Sequence, residues 1–164
     1  LLVPYVNSKK EAEEAVRAVK YPQKGIRGVA GSPRAAHFGN KSIEYFKTAD
    51  DEIALMTAVE TGEAVNNLDE ILSVPEIDGI FIGPADLATN LGHLSDEVQE
   101  AIRTIEEKVA ASGKFLSTVA KDWDDAKAKF ERGYNLLLMM SDTVTLGKVA
   151  RGLVDDFKKS FSKR

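Results

Sequence analysis

The stretch Gly79-Ile80-Phe81-Ile82-Gly83-Pro84-Ala85-Asp86-Leu87 carries the reading on which the fold turns. Its first four residues are small or apolar without alternation, the pattern of a strand buried on both faces, as in a parallel sheet covered by helices; a strand with one wet face alternates instead. Gly83-Pro84 ends the run, and Asp86 follows at its C-terminal end. One run upstream, Ile53 to Val59 leads into Glu60-Thr61, so this segment also delivers a carboxylate. Neighbouring parallel strands lie about 4.8 Å apart, and two acids at adjacent strand ends can share one cation. Hard oxygen donors with open positions suit Mg²⁺ or Mn²⁺. The same residues also have a purely structural reading, with Glu60 capping the next helix and Asp86 bonded in the turn after Pro84.

Working outward, further apolar runs of strand length occur at Leu1 to Val6, Phe115 to Ala120 and Leu136 to Met140, which makes five in all with Ile53 to Val59 and Gly79 to Ile82. Helical patterns separate them. Ser8 with Glu11 forms a capping box ahead of Ala12, Ala15, Val16 and Val19, and Ser95 with Asp96 and Glu97 opens a helix carrying Val98, Ile102, Ile105 and Val109 up to Ser112-Gly113. Asp122 with Asp125 opens another through Ala126 and Phe130 to Gly133. A further helix follows Thr61 through Ala64, Val65, Leu68 and Leu72 to Pro75, and a last one follows Ser141-Asp142 through Leu146, Val149, Leu153 and Phe157. The order is therefore (βα)5. Tyr21 to Asp50, punctuated by Pro22, Gly25, Gly28, Gly31, Pro33 and Gly39, reads as a long functional excursion without regular structure. Two architectures fit five βα units: a closed barrel short of three units, and an open doubly wound sheet. In both, chemistry belongs at the C-terminal ends of the strands.

Composition narrows the function classes. With 164 residues, 43% hydrophobic and 29% charged, residues 1–164 are expected to form one domain with its own core. The net charge of −4 comes from interspersed acids and bases, which argues against a nucleic-acid partner. No apolar run approaches the roughly 20 residues of a membrane span. Without cysteine, any metal must use oxygen or nitrogen ligands, and a reducing cytoplasm is the expected setting. The chain starts within an apolar run at Leu1-Leu2-Val3-Pro4, with neither Met nor a polar leader, as expected of a protein truncated ahead of Leu1.

The strings Val59-Glu60-Thr61 with Ala64 and Asn67, then Gly79 to Leu87, resemble the signatures of the HpcH/HpaI aldolases. Leu2-Val3-Pro4, Tyr21-Pro22, Gly25-Ile26-Arg27-Gly28 and Ser141-Asp142 extend the resemblance over almost the whole chain. It implies a (β/α)8 TIM barrel of the phosphoenolpyruvate/pyruvate type, of which this chain would hold the last five βα units, strands 4 to 8. It implies reversible aldol cleavage of a 4-hydroxy-2-oxo acid to pyruvate and an aldehyde through a metal-stabilised enolate. Glu60 and Asp86 would hold the divalent cation, Mg²⁺ or Mn²⁺ with Co²⁺ as a further option. The backbone of Ala85 and Asp86 after Pro84 would receive the pyruvate carboxylate, and Val119 would stand beside the aldehyde end. Homo-oligomers with exchanged last helices make Leu146 to Phe161 an expected interface, equally readable as an ordinary packing helix.

The chain departs from the pattern in two places. Ala58 stands where the family usually has Gln, two residues before the metal Glu. The family's acid/base His and its Arg belong to its first three strands, at positions outside this chain. His37 on the long excursion and His93 after the Gly79–Leu87 string have no placed partner, and a loop histidine is the plainer reading of each. Arg27 and Arg34 would reach an anionic substrate only if the excursion folds over the site. Trp123 and Phe130 read as a helix face packed on the sheet, and Met139 and Met140 as strand core. Two other functions stay open: a non-catalytic barrel fragment or assembly paralogue, and a citrate lyase β or malyl-CoA lyase type of carbon–carbon lyase. The doubly wound alternative would place a phosphoacceptor Asp at the end of the first strand, where this chain has Asn7.

Overall fold

The computed structural model describes residues 1–93 and 95–161, with the side chain of Ser95 also outside the description. Five strands, β1 (Leu2–Val3), β2 (Met56–Val59), β3 (Gly79–Ile82), β4 (Phe115–Val119) and β5 (Leu136–Leu138), form one sheet in the order β1-β2-β3-β4-β5. All four pairings are parallel, with Met56 beside Gly79 and Phe81 beside Ser117. A doubly wound sheet reverses its strand order at a switch point. This one advances in chain order throughout, so the doubly wound alternative is excluded.

The helices are α1 (Lys9–Val19), α2 (Ser42–Glu52), α3 (Gly62–Asn66), α4 (Leu68–Leu72), α5 (Pro84–Asn90), α6 (Ser95–Ser112), α7 (Trp123–Glu131) and α8 (Asp142–Phe161). One core joins α1, α4 and α6 to the sheet: Ala12, Val16, Leu68, Ile71, Ile105 and Val109 are buried with Val59, Ile80, Ile82 and Leu116. Because side chains alternate along a strand, those sheet residues point to one face, and Ala58, Glu60, Phe81, Ser117, Val119, Leu136 and Leu138 point to the other. On this second face Gly79 is obligatory, since a Cβ there would come 2.8 Å from Phe115.

The helix starts predicted at Ser8 and Asp122 hold. Ser8 Oγ accepts the Glu11 N–H at 3.3 Å, while the Glu11 carboxylate reaches one residue beyond the usual box to the Asn7 N–H. Asp122 accepts the Asp125 N–H at 2.8 Å, and Asp125 answers by accepting the Lys121 N–H at 2.9 Å. Gly113 and Gly133, at φ +74° and +96°, end α6 and α7 in the left-handed conformation that a glycine adopts without a Cβ clash.

Five expectations need correction. The segment 21–50 is not structureless: Arg34–Gly39 form a kinked 3-10 turn, and α2 occupies Ser42–Glu52. Aromatic packing organises it, with Tyr21 edge-on to Phe46 at 5.3 Å and the Arg27 guanidinium 4.5 Å above the Tyr21 ring. The helix expected from Thr61 to Pro75 is two short helices broken at Asn67. The first strand is only Leu2–Val3, because Pro4 donates no ladder hydrogen bond and Tyr5 leaves extended geometry at φ +55°. Met139 and Met140 lie past the end of β5 and are exposed rather than strand core. Trp123 and Phe130 are exposed too. Ala126 is the buried residue of α7, and the two aromatics instead line an apolar hollow of about 340 Å³ with Leu137 and Met139.

No helix among the described residues is long and apolar enough to cross a membrane. The predicted cap of Ser95 and residues 162–164 lie outside the described residues.

Candidate metal centre

Each carboxylate arrives on its own strand end. Glu60 follows β2 directly and is buried, 7% exposed, on the face opposite the helices. Asp86 sits in the first turn of α5, just beyond β3, and is exposed. Gly83 lies between them in space. A Cβ at that position would stand 2.6 Å from both Cγ and Oε1 of Glu60, so the glycine of the Gly83-Pro84 turn is what admits the Glu60 carboxylate.

Tyr5 links the two acids. Its backbone N–H donates to Glu60 Oε2 at 2.9 Å, and its hydroxyl donates to Asp86 Oδ1 at 3.4 Å. The Asp86 charge raises the Tyr5 phenol above its ordinary pKa, with partial burial, the hydrogen bond to Asp86 and the Glu60 charge adding in the same direction. Tyr5 reaches this place through a left-handed backbone, φ +55°, which is uncommon for a residue with a Cβ.

Asn7 holds that conformation. Its side-chain amide donates to the Tyr5 carbonyl at 3.1 Å and its Oδ1 accepts the Thr61 hydroxyl, while its own carbonyl accepts from Asn67 Nδ2 at 2.8 Å. Thr61 Oγ1 also caps α3 by accepting the Ala64 N–H at 3.0 Å. Asn67 breaks the helix and anchors the loop after β1 with the same side chain. On the far side, Asn90 Oδ1 accepts the Gly62 N–H at 2.9 Å, tying the end of α5 to the start of α3. Three strand-end loops are thus cross-braced around the two carboxylates.

Among the described residues neither Glu60 nor Asp86 makes a salt bridge. A buried carboxylate without a cationic partner is costly, so Glu60 together with the exposed Asp86 offers acceptor oxygens suited to a cation. No group of three or more His, Cys, Asp or Glu able to hold a metal occurs among the described residues. Any cation held here would therefore find two carboxylates as its protein ligands. Mg²⁺ characteristically binds in this way, through one or two carboxylates, with water or substrate filling the rest.

The other expected residues divide clearly. Ala58 is buried on the same face as Glu60, two residues below it, and Val119 shares that face at 42% exposure. Pro84 and Ala85 open α5, where the N–H groups of Ala85 and Asp86 have no intrahelical acceptor. Arg27 and Arg34 do not join the site. The segment carrying them follows the C-terminal end of α1, where Arg27 N–H bonds Lys20 O at 2.9 Å, and leads through α2 into the start of β2, at the opposite end of the strands. His37 lies on that segment too. His93 ends the turn after α5 at φ +59° with its side chain exposed, and no hydrogen bond or ion pair joins it to either carboxylate among the described residues.

Tyr5 and Asn7 are site residues that sequence patterns do not flag. Leu1 to Val6 reads as an uninterrupted strand, and a tyrosine has no sequence signature for positive φ. The one available signal is Pro4, which ends the ladder immediately before it.

Comparison with known proteins gives concordant results. The family model described as HpcH/HpaI aldolase/citrate lyase matches residues 1–147. A 5-keto-4-deoxy-D-glucarate aldolase from Escherichia coli O139:H28 (strain E24377A / ETEC) is 38% identical over 162 residues, which cover 96% of this chain and 63% of that protein. Among solved structures, an HpcH/HpaI aldolase/citrate lyase family protein from Burkholderia cenocepacia J2315 superimposes with a TM-score of 0.84 at 32% identity, over 96% of this chain and 64% of that one. An HpcH/HpaI aldolase from Desulfitobacterium hafniense DCB-2 gives 0.81 at 29% identity, over 96% and 62%. The chain therefore spans 63% of the length of the curated relatives it matches.

Proposed function

The chain belongs to the HpcH/HpaI aldolase/citrate lyase family, and on that footing we propose that Glu60 and Asp86 bind a divalent cation, Mg²⁺ or Mn²⁺ with Co²⁺ as a further option, for aldol cleavage of a 4-hydroxy-2-oxo acid to pyruvate and an aldehyde. The observation that carries the reading is the convergence of a buried Glu60, without an ion-pair partner among the described residues, with Asp86 at adjacent parallel strand ends. The progressive strand order supports a matching architecture, an arc corresponding to strands 4 to 8 of a (β/α)8 barrel with the acids at its C-terminal rim.

When bound, such a cation supplies Lewis-acid stabilisation of negative charge on the oxo-acid oxygens. The chain's own residues orient and enclose the substrate. Glu60 is held by the Tyr5 N–H, and Asp86 stands at the open mouth. The free N–H groups of Ala85 and Asp86 point along the start of α5 and would receive the substrate carboxylate, with Pro84 fixing the turn. Val119 offers an apolar wall to the aldehyde portion. Ala58 puts a methyl group where the family's usual Gln would offer an amide, so that polar contact has to come from elsewhere.

The 5-keto-4-deoxy-D-glucarate aldolase relative suggests a sugar-acid-derived oxo acid as substrate. Assembly follows the same reading. No residue of α8 is buried, although Leu146, Val149, Leu153, Phe157 and Phe161 are exposed on it, and a homo-oligomer would cover them with a second copy.

A second reading rests on a specific observation: no histidine or arginine touches either carboxylate among the described residues. In that case the chain is a metal-binding module without turnover of its own. One assay separates the two readings. Purified protein with Mg²⁺ is offered 5-keto-4-deoxy-D-glucarate and shorter 4-hydroxy-2-oxo acids, and pyruvate is measured with and without EDTA. Chelator-sensitive pyruvate release is the expected result. Bound metal with no pyruvate from any substrate overturns the aldolase reading for this chain and leaves the module.

A further inference from the structure

We propose that Tyr5 is a positioning residue of the cation site, setting the Glu60 carboxylate with its backbone and the Asp86 carboxylate with its phenol; the proposal rests on the assignment of those acids as metal ligands. Three observations converge on it. Among the described residues Tyr5 is the one with hydrogen bonds to both acids, N–H to Glu60 Oε2 at 2.9 Å and hydroxyl to Asp86 Oδ1 at 3.4 Å. Its backbone is held at φ +55°, a conformation disfavoured outside glycine that persists only where the surroundings enforce it. Asn7 supplies that enforcement through the bond to the Tyr5 carbonyl, braced by Thr61 and Asn67.

The geometry has a direct reason. In an extended strand the N–H of Tyr5 would run along the sheet edge as a ladder donor. Turned left-handed after Pro4, it faces the carboxylate at the end of the neighbouring strand, and the side chain swings across to the helix that carries the second acid. Each acid keeps its other oxygen free of Tyr5. A cation arriving between them finds both ligands already oriented, which lowers the ordering cost of binding. The phenol is itself 53% exposed, so it is not held there as a core residue.

The two bonds separate experimentally. Tyr5→Phe removes the hydroxyl and keeps the backbone, whereas Tyr5→Val puts a β-branched residue where positive φ is strongly disfavoured. Mn²⁺ binding to the purified chain is followed by electron paramagnetic resonance of the free ion, beside Glu60→Gln as a reference and thermal unfolding as a check on folding. The near-ultraviolet tyrosine difference spectrum on Mg²⁺ addition gives a second readout. Tyr5→Phe should weaken Mn²⁺ about two- to fivefold, in keeping with one long hydrogen bond. Tyr5→Val should weaken it by more than tenfold. The Mg²⁺ difference spectrum should vanish in Tyr5→Phe and persist in Tyr21→Phe, Tyr45→Phe and Tyr134→Phe.

Unchanged Mn²⁺ affinity in both Tyr5 variants, with Glu60→Gln defective, overturns the role of Tyr5 and leaves the metal assignment standing. A difference spectrum that survives Tyr5→Phe likewise removes the phenol from the site. Failure of the parent chain to bind Mn²⁺ overturns both statements.

Discussion

On the helix-facing side of the sheet Val59, Ile80, Ile82 and Leu116 are buried beneath α1, α4 and α6, while on the opposite side Phe115, Val119, Leu136 and Leu138 are each between 42% and 53% exposed. The residue types are alike; their surroundings are not. Within the second face there is also a gradient, since Ala58, Glu60, Phe81 and Ser117 on and after the middle strands β2, β3 and β4 are buried whereas the β5 end is open. Burial on that face therefore falls away from the middle strands toward β5. Apolar character alone decides nothing there, and stability and cation binding should respond to different residues.

The largest effect should fall on the covered face. Ile80→Ala is expected to cost about 2–5 kcal/mol of unfolding free energy, read from denaturant melts, because it empties a fully packed site. A cost below about 1 kcal/mol, typical of open sites, would erase the contrast. Next comes the braced end of the open face. Gly83→Ala puts a Cβ 2.6 Å from the Glu60 side chain, so Mn²⁺ affinity should fall at least about tenfold, or 1.4 kcal/mol, while the fold persists. Unchanged affinity would mean that Glu60 has another pose competent for binding.

Leu138→Ala, on the uncovered part of the same face, should cost less than about 1 kcal/mol in dilute protein. The smallest expected effect is a pH dependence at α7. The Lys129 ammonium, hydrogen-bonded at 2.7 Å, holds the Asp125 carboxyl below its ordinary pKa. A depressed folded pKa contributes stability above the unfolded value, and that contribution fades as pH falls through the lowered one. Asp125→Asn should flatten this acid limb of the melting temperature, and an identical acid limb in the variant would sink the assignment.

The fold was legible where local signals were unambiguous. Gly79–Ile82 coincides with β3 because the Gly83-Pro84 turn punctuates its end, and Asp122 and Ser8 mark helix starts through side chains that serve only one backbone geometry. Leu136 to Met140 overshoots β5, since nothing in five apolar residues says where the partner strand stops. The segment 21–50 hid α2 because its order comes from the long-range stack of Tyr21, Arg27, Tyr45 and Phe46. The acids were legible as strand-end carboxylates. Their brace through Tyr5 and Asn7 was not, because it depends on a backbone angle that the residue type disfavours.

The central claim is that Glu60 and Asp86 jointly hold one divalent cation, and calorimetric titration of Mn²⁺ into the parent chain, Glu60→Gln and Asp86→Asn tests it most directly. A single site in the parent, weakened by more than tenfold in each variant with the melting temperature preserved, is the predicted result. Equal affinity in all three proteins would contradict it.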